Sequence, residues 1–203
     1  MLCLKVPTDE GWAAAAARDA NATLVDHAHC EMKAATNALS LATRHSGDLE
    51  LVLALSALAR EEIEHFARVV TILAERGVAL GPPAVDEYAA ELRRATSAVA
   101  RDRVLPPIVD RLLVGALIEA RSCERFHLLA AVTKDETLRA LWNELLASEA
   151  RHYRTFVDLA VRAAGGERAR VVARLDDLAI VEGAIVTGLA ERGASSDRAS
   201  IHG

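Results

Sequence analysis

Two Glu-x-x-His pairs, Glu62/His65 and Glu149/His152, lie in long segments rich in Ala and Leu, and each follows a segment with one further Glu, Glu31 before the first and Glu119 before the second. Residues three apart share one face of an α-helix. The pattern therefore restricts how four helices can be oriented. If the pairs fall on the apolar stripes, four carboxylates and two imidazoles are committed to a core. No other feature constrains the fold as much.

Glu-x-x-His alone is a weak signal. With 17 Glu and 7 His among 203 residues, chance supplies less than one match on average, and the chain has three, the third being Glu124/His127. Helical phase separates them. Around the first pair the stripe reads Leu55, Leu58, Glu62, His65, Val69, Ile72, in alternating steps of three and four. Around the second it reads Leu138, Trp142, Leu145, Glu149, His152, Phe156, Leu159. Glu31 falls on Leu24, His27, Glu31, Ala34, Ala38, Leu41, and Glu119 on Ile108, Leu112, Gly115, Glu119, Ser122, Phe126, Leu129. Glu124 and His127 fall off that last stripe and read as a flank.

Burying an unpaired carboxylate as its anion costs several kcal/mol. No Arg or Lys lies on these stripes to neutralise the four, whereas a divalent metal removes the penalty. Hard carboxylates with imidazole suit iron or manganese better than copper or structural zinc. The expected ligands are Glu31, Glu62, His65, Glu119, Glu149 and His152. Glu62 and Glu149 are placed to bridge two metals, Glu31 and Glu119 to be terminal ligands, and His65 and His152 to supply one imidazole each. His27, one turn before Glu31, reads either as a support for that ligand or as a packed core histidine. His29 and His45 read as surface residues, Cys30 and Cys123 as inert thiols, Trp142 as core, and Glu61 and Glu64 as a solvated face.

Strand signals are nearly absent. Helices are expected at 8–17, 20–45, 48–76, 86–102, from Pro107 to about 132, 133–164 and 167–191. Ser46-Gly47-Asp48 breaks and caps, Gly77 and Gly165-Gly166 terminate, and Thr133 to Glu136 matches a capping box. The order is two long helices, a crossover with its own helix, and two more long helices. It predicts an all-α, ferritin-like four-helix bundle with a long helical crossover and extra terminal helices. A 52% hydrophobic content suits one domain, 1–195, with a polar tail at 196–203.

Charges interrupt every apolar run before bilayer length, so no membrane span or membrane partner is expected. The start of the chain lacks the pattern of a secretory signal, and three cysteines make no disulfide framework. A cytoplasmic location follows as the expectation. A net charge of -5 does not announce a nucleic-acid binder, but a local basic patch acts within an acidic whole.

At the metal-site residues the chain resembles the bacterial tRNA hydroxylase family MiaE. The resemblance lies in His27-Ala-His-Cys-Glu-Met-Lys-Ala-Ala35, Glu61-Glu-Ile-Glu-His-Phe66, Glu119-Ala-Arg-Ser-Cys-Glu-Arg-Phe126 and Ser148-Glu-Ala-Arg-His-Tyr153, and it extends from about residue 10 to 190. It implies a ferritin-like fold holding two iron ions, with Glu31, Glu62, His65, Glu119, Glu149 and His152 as ligands and O2 as co-substrate. It implies insertion of one oxygen atom into the isopentenyl group of 2-methylthio-N6-isopentenyl-adenosine beside the tRNA anticodon. The implied partners are tRNA and an electron donor, a reductase or ferredoxin; the oligomeric state is left open.

A basic rim for RNA is expected among Arg93, Arg94, Arg101, Arg103 and Arg111, and among Arg121, Arg125, Arg151 and Arg154 beside the ligands. Ala34, Ala38 and Gly115 are small enough to leave room for a prenyl tail. Competing readings are a ferritin-like iron oxidase or store, a rubrerythrin-like peroxidase, a manganese catalase-like site and a helical binding module. The long Arg-rich crossover counts against a minimal cage subunit, and the missing Cys-x-x-Cys against rubrerythrin.

Overall fold

The protein was analysed as a computed structural model, which describes residues 2–83, 86–99, 102 and 104–194. Arg101, Arg103 and the tail at 196–203 lie outside the described residues. Among the described residues there are seven helices and no strand: α1 (Glu10–Arg18), α2 (Ala20–Arg44), α3 (Leu49–Glu75), α4 (Glu87–Ala98), α5 (Pro107–Val132), α6 (Glu136–Ala163) and α7 (Arg168–Ala194). None of them is long and apolar enough to cross a membrane.

Aspartate starts four of these helices. The side chains of Asp19, Asp48, Asp86 and Asp135 accept from the backbone N–H of Ala22, Leu51, Ala89 and Thr137 respectively, and Asp135 also from Leu138. A carboxylate there satisfies an orphan donor and faces the positive end of the helix dipole. α6 thus departs from the capping box expected at Thr133. The N–H of Thr133 is spent on the carbonyl of Leu129 and closes α5 instead. The crossover helix α4 also stops earlier than expected. Thr96 and Ser97 turn their hydroxyls back onto the carbonyls of Leu92 and Arg93, a competition that weakens helices, and Val99 is already extended.

Glycine ends the two helices that carry the Glu-x-x-His pairs. Gly77 and Gly165 both have φ of 66°. After each, the chain makes the paired bonds of a Schellman motif: Gly77 N–H to Ala74 and Val78 N–H to Leu73, then Gly165 N–H to Arg162 and Gly166 N–H to Val161.

The helices group into two compact units, residues 16–85 and residues 1–15 with 86–203. In the first, α2 and α3 pack as an antiparallel pair across a short connection. Leu24, Ala28, Ala35, Ala38 and Leu41 of α2 and Leu51, Leu55, Leu58, Val69 and Leu73 of α3 are buried. In the second, α5 and α6 form an equivalent pair, and α4 and α7 pack on α5 as well. That is why α5 buries Leu113, Ala116 and Leu117 besides its Leu112 stripe. Phe126 stacks on Trp142 with ring centroids 5.7 Å apart, so Trp142 is core as expected. A Cβ at Gly115 would lie 2.9 Å from Cε1 of Phe156. The room at Gly115 is therefore filled by an aromatic ring rather than left open.

Replacing Asp135 by alanine is expected to lower stability by about 1 kcal/mol through loss of the α6 cap. Thr133→Ala stays within roughly 0.5 kcal/mol, as for a residue outside the cap. Urea unfolding of the two variants measures the contrast, and equal losses would restore the capping box.

Candidate metal centre

Each helix pair carries one triad. In the first unit, ligand atoms of Glu31, Glu62 and His65 lie within 4.8 Å of one another. Nδ1 of His65 is 3.3 Å from Oε2 of Glu62 and 3.7 Å from Oε2 of Glu31. His27 stands behind, with Nε2 at 2.8 Å from Oε1 of Glu31. In the second unit, ligand atoms of Glu119, Glu149 and His152 likewise lie within 4.8 Å of one another, and Nδ1 of His152 is 3.7 Å from Oε2 of Glu149. The four carboxylates are each at most 5% exposed. All six residues expected from the sequence therefore sit in the two triads, three in each.

The electrostatics follow from that burial. Burial would push the imidazole of His65 toward neutrality, but hydrogen bonds to Glu31 and Glu62 and their charges push its pKa up to about 10. The cation it would carry is the positive charge the carboxylates demand. Two carboxylates and one imidazole per triad, held in dry surroundings, match the donors that iron and manganese prefer. No thiol is among the ligand atoms of either triad. The thiol of Cys123 is buried, and desolvation, helped by Glu149, pushes its pKa to about 12, which makes it inert.

A second buried charge cluster was not anticipated. Arg121 is 1% exposed. Its Nε and Nη2 donate to the two oxygens of Glu182 at 2.9 Å each, Nη1 donates to Glu124 and to the hydroxyl of Thr8, and Nη2 donates to the carbonyl of Val6. Thr8 gives its N–H and O–H to the same Glu124 oxygen. The hydroxyl of Tyr88 donates to Glu182 at 3.0 Å. Arg125 lies 5.1 Å from the ring centre of Trp12 and 5.6 Å from that of Tyr88.

These contacts correct two expectations. Arg121 and Arg125 are buried and hold the N-terminal segment to α5, α4 and α7, so neither belongs to a basic rim. Glu124 is off the metal stripe as expected, and there it is a buried ion-pair partner of Arg121. Arg93, Arg94, Arg111, Arg151 and Arg154 are exposed. Glu182 was missed altogether. The signal was available in Leu175, Leu178, Glu182, Ile185, Leu189, an apolar stripe interrupted by one acid. His29 and His45 are half-buried, not fully exposed, and so is Glu61, whereas Glu64 is exposed.

Arg121→Met leaves Glu124 and Glu182 buried without their counter-charge and is expected to cost about 3–5 kcal/mol. The double variant Arg121→Met/Glu182→Gln recovers part of that loss. Denaturant unfolding decides it: a loss of under about 1 kcal/mol, the size seen for exposed pairs, contradicts the buried-pair account.

The tRNA 2-(methylsulfanyl)-N(6)-isopentenyladenosine(37) hydroxylase of Pseudomonas putida is 44% identical over 157 residues, spanning 77% of this chain and 74% of that one. The protein of the same name from Salmonella typhimurium is 28% identical, with the same coverage. Among solved structures, a protein from Synechococcus with aldehyde deformylating oxygenase activity superposes with a TM-score of 0.81 at 39% identity, covering 91% of this chain and 89% of that one. The fold class is thus all-α and ferritin-like, as the helix order predicts. A family model described as tRNA-(MS[2]IO[6]A)-hydroxylase (MiaE) matches residues 1–193. With that match over almost its whole length, the chain belongs to the MiaE family of tRNA hydroxylases.

Proposed function

We propose that this chain is an O2-dependent di-iron monooxygenase that hydroxylates the isopentenyl group of 2-methylthio-N6-isopentenyl-adenosine next to the tRNA anticodon. The observation that carries the reading is the repeated triad, two carboxylates and one imidazole on each helix pair, in a chain whose relatives are named for this hydroxylation. The solved structure with oxygenase activity and the same fold adds support.

In this reading Glu31, Glu62, His65, Glu119, Glu149 and His152 would hold two iron ions. Bound iron would supply redox chemistry: an electron pair from the donor, passed through it with two protons, would let O2 yield one hydroxyl at the C–H bond and one water. The chain's own residues do the rest. The four carboxylates offset the metal charge, and burial keeps the imidazoles aimed. Leu58 and Val69 flank the pair on α3, Leu145 and Phe156 flank the pair on α6, and all four are buried, which excludes water that would quench an oxidant. The partners are tRNA and a reductase or ferredoxin, and the cytoplasm, where tRNA is modified, is the proposed location.

The test uses tRNA from cells lacking the protein and then re-expressing it, digested to nucleosides for mass spectrometry. One added oxygen on the prenylated adenosine is expected with the intact chain and not with Glu149→Ala. An unchanged nucleoside profile, with two irons still bound to the purified protein, would turn the reading toward iron oxidation or peroxide handling. For the RNA surface, Arg151→Glu/Arg154→Glu is expected to weaken tRNA binding several-fold at low salt while iron content stays the same. Equal affinity at low salt removes these two arginines from the interface.

A further inference from the structure

Pro7 keeps the start of the chain out of a helix. It has no N–H of its own, and it steers Val6 before it away from helical geometry. The non-helical run before α1 lies across three helices of its own unit as a strap. On α7, Nζ of Lys5 is 2.7 Å from Oδ1 of Asp176. Two turns further along the same helix, Gly183 receives Val6. A Cβ at Gly183 would lie 2.8 Å from Cγ2 of Val6 and 3.4 Å from its Cβ. The helix itself would favour alanine there, so the glycine answers to the close approach of the strap. On α5, Nη2 of Arg121 donates to the carbonyl of Val6 at 2.9 Å. Thr8 donates its N–H at 3.0 Å and its O–H at 2.6 Å to Oε2 of Glu124. On α6, the thiol of Cys3 meets the hydroxyl of Tyr153.

Two of these anchors stand beside ligands of the second triad. Arg121 is two residues after Glu119, and Tyr153 is one residue after His152. Positions one or two apart do not share a helix face, so the strap grips α5 and α6 on sides other than the one the triad uses. The strap also completes the Arg121 cluster. With it in place Arg121 is 1% exposed and Thr8 7%. Without it Glu124 would lose two donors, and the guanidinium would lose a carbonyl and a hydroxyl. In a close-packed interior, re-seating a buried arginine shifts the helix that carries it.

We infer that the strap from Cys3 to Thr8 is a positioning element for the second triad: it locks α5 and α6 in place and so holds the side chains of Glu119 and His152 ready for a metal ion. This deepens the di-metal reading and rests on it. No strap residue is a ligand in this scheme; each acts through the helix it grips. A triad already held loses less freedom when metal binds, so metal affinity, and not stability alone, depends on the strap.

Calorimetric titration of the metal-free full chain with Mn(II), which does not oxidise during the measurement, tests the inference without recourse to activity. Gly183→Ala puts a methyl group where Val6 sits and leaves every charged partner in place. It is expected to speed hydrogen exchange at the Thr8 N–H and to weaken at least one Mn(II) by about three- to tenfold, less than the ten- to hundredfold typical of a group bonded directly to a ligand. Val6→Ala/Gly183→Ala, which removes the clashing Cγ2, is expected to restore both. Thr8→Val, which keeps the shape and removes the hydroxyl, is expected to weaken Mn(II) in the same way. Asp86→Ala, which removes the α4 cap away from strap and triads, is expected to lower stability and leave Mn(II) affinity unchanged. Far-UV circular dichroism of all variants monitors helix content. If Gly183→Ala fails to fold, Thr8→Val decides alone. Unchanged Thr8 exchange in Gly183→Ala, wild-type Mn(II) affinities in the folded strap variants, or an equal loss in Asp86→Ala overturns the inference while leaving the di-metal site intact. No Mn(II) uptake by the unaltered chain removes both.

Discussion

Four carboxylates on apolar helix stripes are the constraint from which the rest of the structure follows. Each is buried at a position where its helix would otherwise carry leucine or alanine. Left as bare anions they would cost several kcal/mol each, so the fold is coherent only if positive charge is brought to them. The helix ends serve this requirement. A helix advances about 100° per residue, so a slip of one residue would carry Glu62 or Glu149 off its stripe. The aspartate caps of α2, α3 and α6 and the Schellman turns at Gly77 and Gly165 pin the registers at both ends.

The same helix shows two ways to bury an acid. On α5, Glu119 faces its triad, while Arg121, two residues on, faces elsewhere, since positions two apart do not share a helix face. Arg121 meets Glu182 with a two-pronged contact and Glu124 with a third. That cluster is neutralised by protein alone and ties the segment from Val6 to Thr8 against α5. The triads hold their ligand atoms within 4.8 Å of one another and are the candidate metal sites. The distinction between a structural and a chemical cluster lies in what supplies the positive charge.

Much of this was legible in the sequence, and the limits are physical. Helical phase separated Glu62/His65 and Glu149/His152 from Glu124/His127 because period is a local property of a single helix. The seven helices and their order followed from breakers and caps for the same reason. What was missed depends on contacts between distant segments. Nothing local says that Arg121 meets Glu182, and an arginine beside a ligand reads as readily as a surface residue. The α6 cap was misplaced because Thr133 and Asp135 both offer capping oxygens, and the choice turns on where α5 ends. Gly115 read as open space because sequence does not show that Phe156 fills it.

The central claim is that the two triads together hold two iron ions. Crystals of the full chain loaded with Fe(II) under anaerobic conditions, measured for anomalous scattering at the iron edge, test it most directly. The account predicts two iron peaks, each ligated by carboxylate and imidazole from among Glu31, Glu62, His65, Glu119, Glu149 and His152. A single iron, iron bound elsewhere, or triads that remain metal-free after loading would contradict it.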